Sequence, residues 1–149
     1  MLTIDFETYW DKDFSLSKMT TESYIRAPQF EVIGVSIKKD NGPIEWVSGD
    51  DQIIKQALLE RGAQNDVCVA HNAAFDMAIM NWRYGIRPRV IVDTLSMARP
   101  ITGLTVGGSL RALGEYFGIG EKGTEVYNTQ GKHRKDFTSE ELERYGRYC

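Results

Sequence analysis

Cysteine is scarce in this sequence. There are two in 149 residues, Cys68 and Cys149, with no CxxC spacing. That sets aside a cysteine framework and leaves Cys68, inside the apolar run "VCVA", as a reduced core thiol. It also favours a reducing, intracellular setting over secretion. Long apolar stretches are missing too, and no basic-then-apolar leader is seen, so neither a membrane span nor a signal peptide is expected. Positive charge is not in excess: 18 Lys and Arg stand against 21 Asp and Glu, for a net charge of −3 and a pI near 5.4. This argues against a broad basic surface for duplex DNA. A short single strand held in a local groove with metal ions remains compatible with it. Internal repeats, low-complexity tracts and linkers are absent, so residues 1–149 are expected to form one domain. What is present is ordinary for a globular protein, 42% hydrophobic and 26% charged residues, enough for a real core.

The chain opens "MLTIDFETYW". Leu2, Ile4 and Phe6 alternate with Thr3, Asp5 and Glu7, the period of a strand with one buried face. A short helix is expected near residues 20–25. "QFEVIGVSIKKDNGPIEWVS" reads as a hairpin with its turn at "DNGP". "GDDQIIKQALLERG" reads as a helix with acids at its start and Gly62 as its stop. "DVCVAHN" is a buried strand. The helix after it, "AAFDMAIMNWRYG", has Asn72 as its expected N-cap and Phe75, Ala78, Ile79 and Trp82 as its apolar face. "RVIVDTL" is a further strand, and "GSLRALGEYFGIG" a short helix closed by Gly118. In "TSEELERYGRYC", Thr138 and Glu141 have capping-box spacing. Strand–helix–strand units imply parallel pairing and the hairpin implies antiparallel pairing, so a mixed sheet flanked by helices follows.

Two acids on one strand need a reason if that strand is core, because buried unpaired charge is costly. Side chains two apart on one face lie about 7 Å from each other. Asp5 and Glu7 could therefore share two metal ions about 3.5–4 Å apart. Alternatively they are exposed acids on the solvent face of an edge strand. Asp76, in the first turn of its helix and off the expected apolar face, is a third candidate acid. Its simpler role is to stabilise the helix dipole.

"DFET" followed some seventy residues later by "HNAAFD" resembles the first two motifs of the DEDD superfamily of 3′–5′ exonucleases, which have a ribonuclease H-like fold. "VDTLSMARP" and "SLRALGEYFGI" resemble the segments that follow there. The likeness spans nearly the whole chain and is greatest to the proofreading exonuclease domain of phage and bacterial family A DNA polymerases. It implies an α/β, ribonuclease H-like mixed sheet and a catalytic set of Asp5, Glu7, Asp76 and Tyr148. The three acids would hold two Mg²⁺ or Mn²⁺ ions. The substrate implied is the 3′ end of single-stranded DNA, with a polymerase domain possible in the same parent protein and the cytoplasm of a bacterial or phage-infected cell as location. Phe6, Thr8, Tyr9, Asn72 and Phe75, within or beside the motifs, are the implied nucleic-acid contacts, although core packing is an equal role for the aromatic rings near the first acids.

The last motif of that family pairs a tyrosine with an acid four residues on. Tyr148 matches the tyrosine, and the acid's place falls beyond Cys149. Tyr145 has the same spacing to Cys149, which is not an acid. The apolar stripe Leu142, Tyr145, Tyr148 and Cys149 continues to the last residue with no stop signal, so the helix reads either as cut part-way or as a frayed natural end. Lacking that acid, the chain is expected to be a weak or inactive nuclease, and the second reading is a binding or scaffolding module with an incomplete site. Among the other polar residues, His71 is expected to be a structural hydrogen-bonder. His133 falls in a solvated basic loop, "GKHRKDF", with phosphate contact possible, and Asp93 is a strand-end acid. Three acids in one pocket should raise at least one pKa when no metal is bound.

Overall fold

The computed structural model describes residues 1–103, 105–119 and 129–148, with Tyr148 described by its backbone only. The elements are β1 (Leu2–Thr8), α1 (Thr21–Arg26), β2 (Val32–Lys39), β3 (Ile44–Val47), α2 (Asp51–Glu60), β4 (Val67–Ala70), α3 (Ala74–Tyr84), β5 (Val90–Asp93), α4 (Thr94–Thr102), α5 (Leu110–Phe117) and α6 (Ser139–Tyr148). The strands form one sheet in the order β3-β2-β1-β4-β5. β1 is therefore central. It runs antiparallel to β2, with Ile4 opposite Ile37 and Phe6 opposite Val35. It runs parallel to β4 only at Leu2 and Thr3, opposite Cys68 and Val69. Past Thr3 the two strands part, and the carboxyl end of β1 faces the β4–α3 turn instead of a neighbouring strand. This is the expected α/β, ribonuclease H-like mixed sheet flanked by helices.

The alternation read from the sequence sets the core. Leu2, Ile4 and Phe6 are buried, together with Val35 and Ile37 of β2 and Ile54 and Leu58 of α2. Helix ends follow local chemistry. Thr20, Asp50 and Ser109 accept backbone N–H bonds at the starts of α1, α2 and α5. Thr138 and Glu141 form the expected reciprocal capping box at α6. Cys68 is fully buried, its thiol donating to the Ala63 carbonyl and pushed up to about 11 by burial and then by the Asp66 charge. No helix among the described residues is long and apolar enough to cross a membrane.

Two elements differ from expectation. In α3 the buried residues are Asp76, Met77, Ile79, Met80 and Tyr84. Phe75 and Trp82 turn instead toward α1, where Phe75 lies 6.1 Å from the Tyr24 ring and the Arg26 guanidinium sits 5.0 Å from the Trp82 ring centroid. The helix is thus wedged between sheet and α1 and uses two faces, which a single apolar stripe does not reveal. α4 also went unread. It contains Pro100, which cannot donate a helical bond and argues locally against a helix. The fold holds it through Asp93, whose carboxylate accepts from the Leu95 amide at its start.

α6 is seated on β2 and β3 by an unusually close approach. A Cβ on Gly146 would lie 2.3 Å from the Trp46 ring, and one on Gly34 would lie 2.4 Å from it. The two glycines clear the space that the indole fills. The Ser36 hydroxyl then donates to the Gly146 carbonyl at 3.3 Å.

Candidate active site

The acids of β1 are not on an edge strand. They sit half-buried on the face of the central strand opposite the core residues, with Asp5 across from Ser36 and Glu7 across from Gly34. Because α6 is seated over β2 and β3, it brings Tyr145 to this face. The Tyr145 hydroxyl donates to the Glu7 carboxylate at 2.7 Å, and its ring stacks on Phe137 at 5.7 Å. Tyr145 is 3% exposed and Glu7 half-buried, so the bond is partly shielded from water. In the sequence Tyr145 belongs to a helical stripe and also has the motif spacing, but to Cys149, which is not an acid, so Tyr148 is the tyrosine expected at the site. The side chain of Tyr148, the expected motif tyrosine, lies outside the described residues, as does Cys149.

Asp76 comes to the same place from α3. Its carboxylate accepts the backbone N–H of Phe6, the residue between Asp5 and Glu7, at 3.0 Å. That amide points to the side of β1 where β4 has turned away. The buried donor needs a partner, and Asp76 supplies it. Asp76 is 4% exposed. Burial pushes its carboxyl up to about 8, the Asp5 charge and more weakly that of Glu7 push the same way, and the Phe6 amide and its own amide oppose them. One of the crowded acids therefore does rise, but desolvation contributes more than mutual repulsion.

The loop that delivers Asp76 is held by Asp93. Partial burial acts to raise the Asp93 carboxyl, yet bonds from the Ser96 hydroxyl and from the amides of Ala73, Leu95 and Asn72 outweigh it and hold it below the usual range. Asp93 thus ties the end of β5 to the β4–α3 turn. Asn72 does not cap α3. It adopts a left-handed conformation, φ 57°, and turns the chain out of β4, while the cap position falls to Ala73 with no side-chain bond. Asparagine tolerates that conformation better than most residues. His71 bridges two segments, as expected: Nε2 donates to the Gly108 carbonyl at 2.9 Å, and Nδ1 lies 3.0 Å from the Thr94 hydroxyl.

The expected nucleic-acid contacts separate into two groups. Phe6 and Tyr9 are buried, Phe6 beside Tyr84 and Tyr9 stacked on His133 with ring centroids 3.9 Å apart. Core packing occupies these rings and leaves neither free to stack on a base. Asn72 is exposed and Phe75 and Thr8 are half-buried, Thr8 within 2.9 Å of the Tyr24 hydroxyl. His133 departs from the solvated loop expected for it. Its Nδ1 lies 2.6 Å from Glu31, which together with the Tyr9 stack fixes it to the protein.

In kind, the donors suit a hard divalent cation: Asp5, Glu7 and Asp76 offer oxygen only. Among the described residues, however, no three His, Cys, Asp or Glu side chains converge on one cation position. The acids share a neighbourhood and a field; they do not form a closed cage.

No protein-family model matches the chain, and no curated protein does. Solved structures do. The chain is similar to NrnC of Brucella melitensis with bound Mg²⁺, at a TM-score of 0.63 and 13% identity, covering 99% of this chain and 65% of that one. A second structure of Brucella melitensis NrnC gives 0.63 at 14%, covering 99% and 66%, and NrnC bound to pGG gives 0.62 at 13%, covering 99% and 65%. The chain thus spans about two thirds of the NrnC chains, and at these identities the likeness carries the fold.

Proposed function

We propose that this chain is a metal-dependent 3′–5′ exonuclease of the DEDD type, acting on the 3′ end of single-stranded DNA as the proofreading part of a DNA polymerase. The observation that carries the reading is Asp76: a buried carboxylate anchored on the amide between Asp5 and Glu7. A chain keeps such a group, with its carboxyl pushed up to about 8, where something cationic is meant to balance it. The NrnC structure with bound Mg²⁺ is consistent with a divalent metal cofactor, and in this reading the acids take Mg²⁺ or Mn²⁺.

In this reading Asp5, Glu7 and Asp76 hold the metal. When bound, two such ions supply an acidified water and stabilisation of the departing 3′ oxygen. The protein's own parts are then positional. Tyr145 fixes the orientation of Glu7, the Phe6 amide fixes Asp76, and Asp93 fixes the turn from which α3 starts. Tyr148 orients the attacking water by hydrogen bonding, as the resemblance implies. Thr8, Asn72 and Phe75 line the entry for the terminal nucleotide.

The test is a 5′-labelled single-stranded DNA oligomer incubated with the chain and Mg²⁺. A ladder shortening from the 3′ end is expected, reduced at least about a hundredfold, or about 2.7 kcal/mol, in Asp5→Ala or Asp76→Ala. No shortening would overturn the nuclease reading and favour a binding module. One observation favours a second substrate, short oligonucleotides, because one NrnC structure is bound to pGG. A matched RNA oligomer and a dinucleotide belong in the same assay. Cleavage of RNA alone, or of the dinucleotide alone, would replace the DNA assignment.

A further inference from the structure

We propose that residues 129–137 form a fixed strap that binds the phosphodiester backbone of the strand entering the acid site, with Arg134 and Lys135 as the contacts. The inference rests on the nuclease reading and adds to it the part that receives the polyanion.

The strap is docked at one end on the chain just past β1 and at the other on the tyrosine that holds Glu7. At one end the Trp10 carbonyl accepts from the Gly131 amide at 2.8 Å, and the Trp10 indole donates to Thr129 at 3.2 Å. Trp10 lies three residues beyond Glu7 in the chain. At the other end Phe137 stacks on Tyr145, whose hydroxyl is on Glu7. Between them His133 lies flat on Tyr9, the residue two beyond Glu7. A segment rich in cations is thus laid across the end of the acid-bearing strand, although the chain as a whole is net negative.

The charges in the strap have different employments. Lys132 pairs with Glu141 at 2.8 Å, and His133 meets Glu31. The Asp136 carboxylate accepts from the His133 amide and closes the 3-10 turn made by residues 134–136. Arg134 and Lys135, carried on that turn, have no ion-pair partner among the described residues, and Lys135 is exposed. A rigid mount for two uncommitted cations loses little freedom when it meets an anion, which is what preorganised phosphate contacts require. An acidic centre also repels its own polyanionic substrate, and cations flanking it offset that at the neighbouring phosphates.

The experiment measures binding rather than turnover. A fluorescein-labelled single-stranded DNA decamer and its RNA counterpart are titrated with the chain in Ca²⁺, at KCl from 50 to 300 mM. Arg134→Gln/Lys135→Gln is expected to weaken both about tenfold at 100 mM and to lower the salt slope by about 1.4, the value for two single-strand phosphate contacts. The charge-conserving pair Arg134→Lys/Lys135→Arg should retain the slope. Arg87→Gln/Arg89→Gln removes the same charge before β5, at the far end of the sheet, and should leave affinity within about twofold. Unchanged affinity and slope in Arg134→Gln/Lys135→Gln would overturn the strap proposal, as would an equal loss in Arg87→Gln/Arg89→Gln. Failure of the wild-type chain to bind either oligomer would overturn the nuclease reading instead.

Discussion

The β1–α6 region and the β5–α4–α5 region break the usual rule of burial in opposite directions. Around β1, polar groups are inside: Asp76, Ser36 and Tyr145 are all at most 5% exposed, and each has a defined partner. Around β5, apolar groups are outside: Ile91, Met97, Ile101 and Ile119 are 52–78% exposed. Scattered exposed apolar residues are common and cost little. Buried polar groups are costly unless every partner is fixed. The difference shows where the fold is constrained by something beyond stability. The first region spends burial on carboxylates and a phenol, and so depends on α6 being seated to within a few tenths of an ångström. The second depends mainly on backbone caps.

The sharpest contrast should come from pH. The Asp76 carboxyl is pushed up in the folded chain, so between its unfolded value near 4 and its folded value of about 8 the native state holds the extra proton. Stability from this group is therefore full at the acid end of that window and falls as pH rises through it, by at most about 1.4 kcal/mol per pH unit. Urea melts from pH 5 to 8 should show the decline, and Asp76→Asn should flatten it. Mg²⁺ should flatten it too if the acids bind it, since the ion takes the proton's place. A wild-type slope equal to that of Asp76→Asn would show that Asp76 is not the group responsible.

Next in size is the seat of α6. Glycine-to-alanine in an open helix gains about 1 kcal/mol. Gly146→Ala should instead lose about 1–3 kcal/mol, because its Cβ meets the Trp46 ring. A stabilised variant would mean that α6 is not held as closely as the site requires. Smaller still is Tyr145→Phe, which keeps the stack on Phe137 and removes the bond to Glu7. A loss of about 1–2 kcal/mol is expected, and a double-mutant cycle with Glu7→Gln should recover most of it as coupling. Additive losses would show the bond to be incidental. Smallest are Met97→Ser and Ile101→Ser on α4, both expected within about 0.5 kcal/mol of the parent. A larger loss there would erase the contrast between the two regions.

The period-2 pattern of Leu2, Ile4 and Phe6 made the central strand legible, because alternation is enforced by the pleat itself. The capping box of Thr138 and Glu141 was legible for a similar reason, since both partners lie within one helical turn. What escaped depends on contacts distant in sequence. The orientation of α3 is set by α1 as well as by the sheet, so Asp76 turned out to be buried although the local stripe placed it outside. The Glu7–Tyr145 bond joins residues 138 positions apart and depends on two glycines that make room for one indole. Asn72 has the composition of a cap and the conformation of a turn, and only the Asp93 carboxylate across the gap decides between them.

Cys68 supplies the protein with a clock. Its thiol is buried on β4, paired with β1 and β5, and its pKa of about 11 leaves almost no thiolate at neutral pH. A thiol-trapping reagent can reach it only when the middle of the sheet parts. In a Cys149→Ser background, the labelling rate of Cys68 would therefore time the opening of β4, with no probe attached. Comparing that rate with and without Mg²⁺ would show whether an ion at the end of β1 slows the parting of the strands beside it.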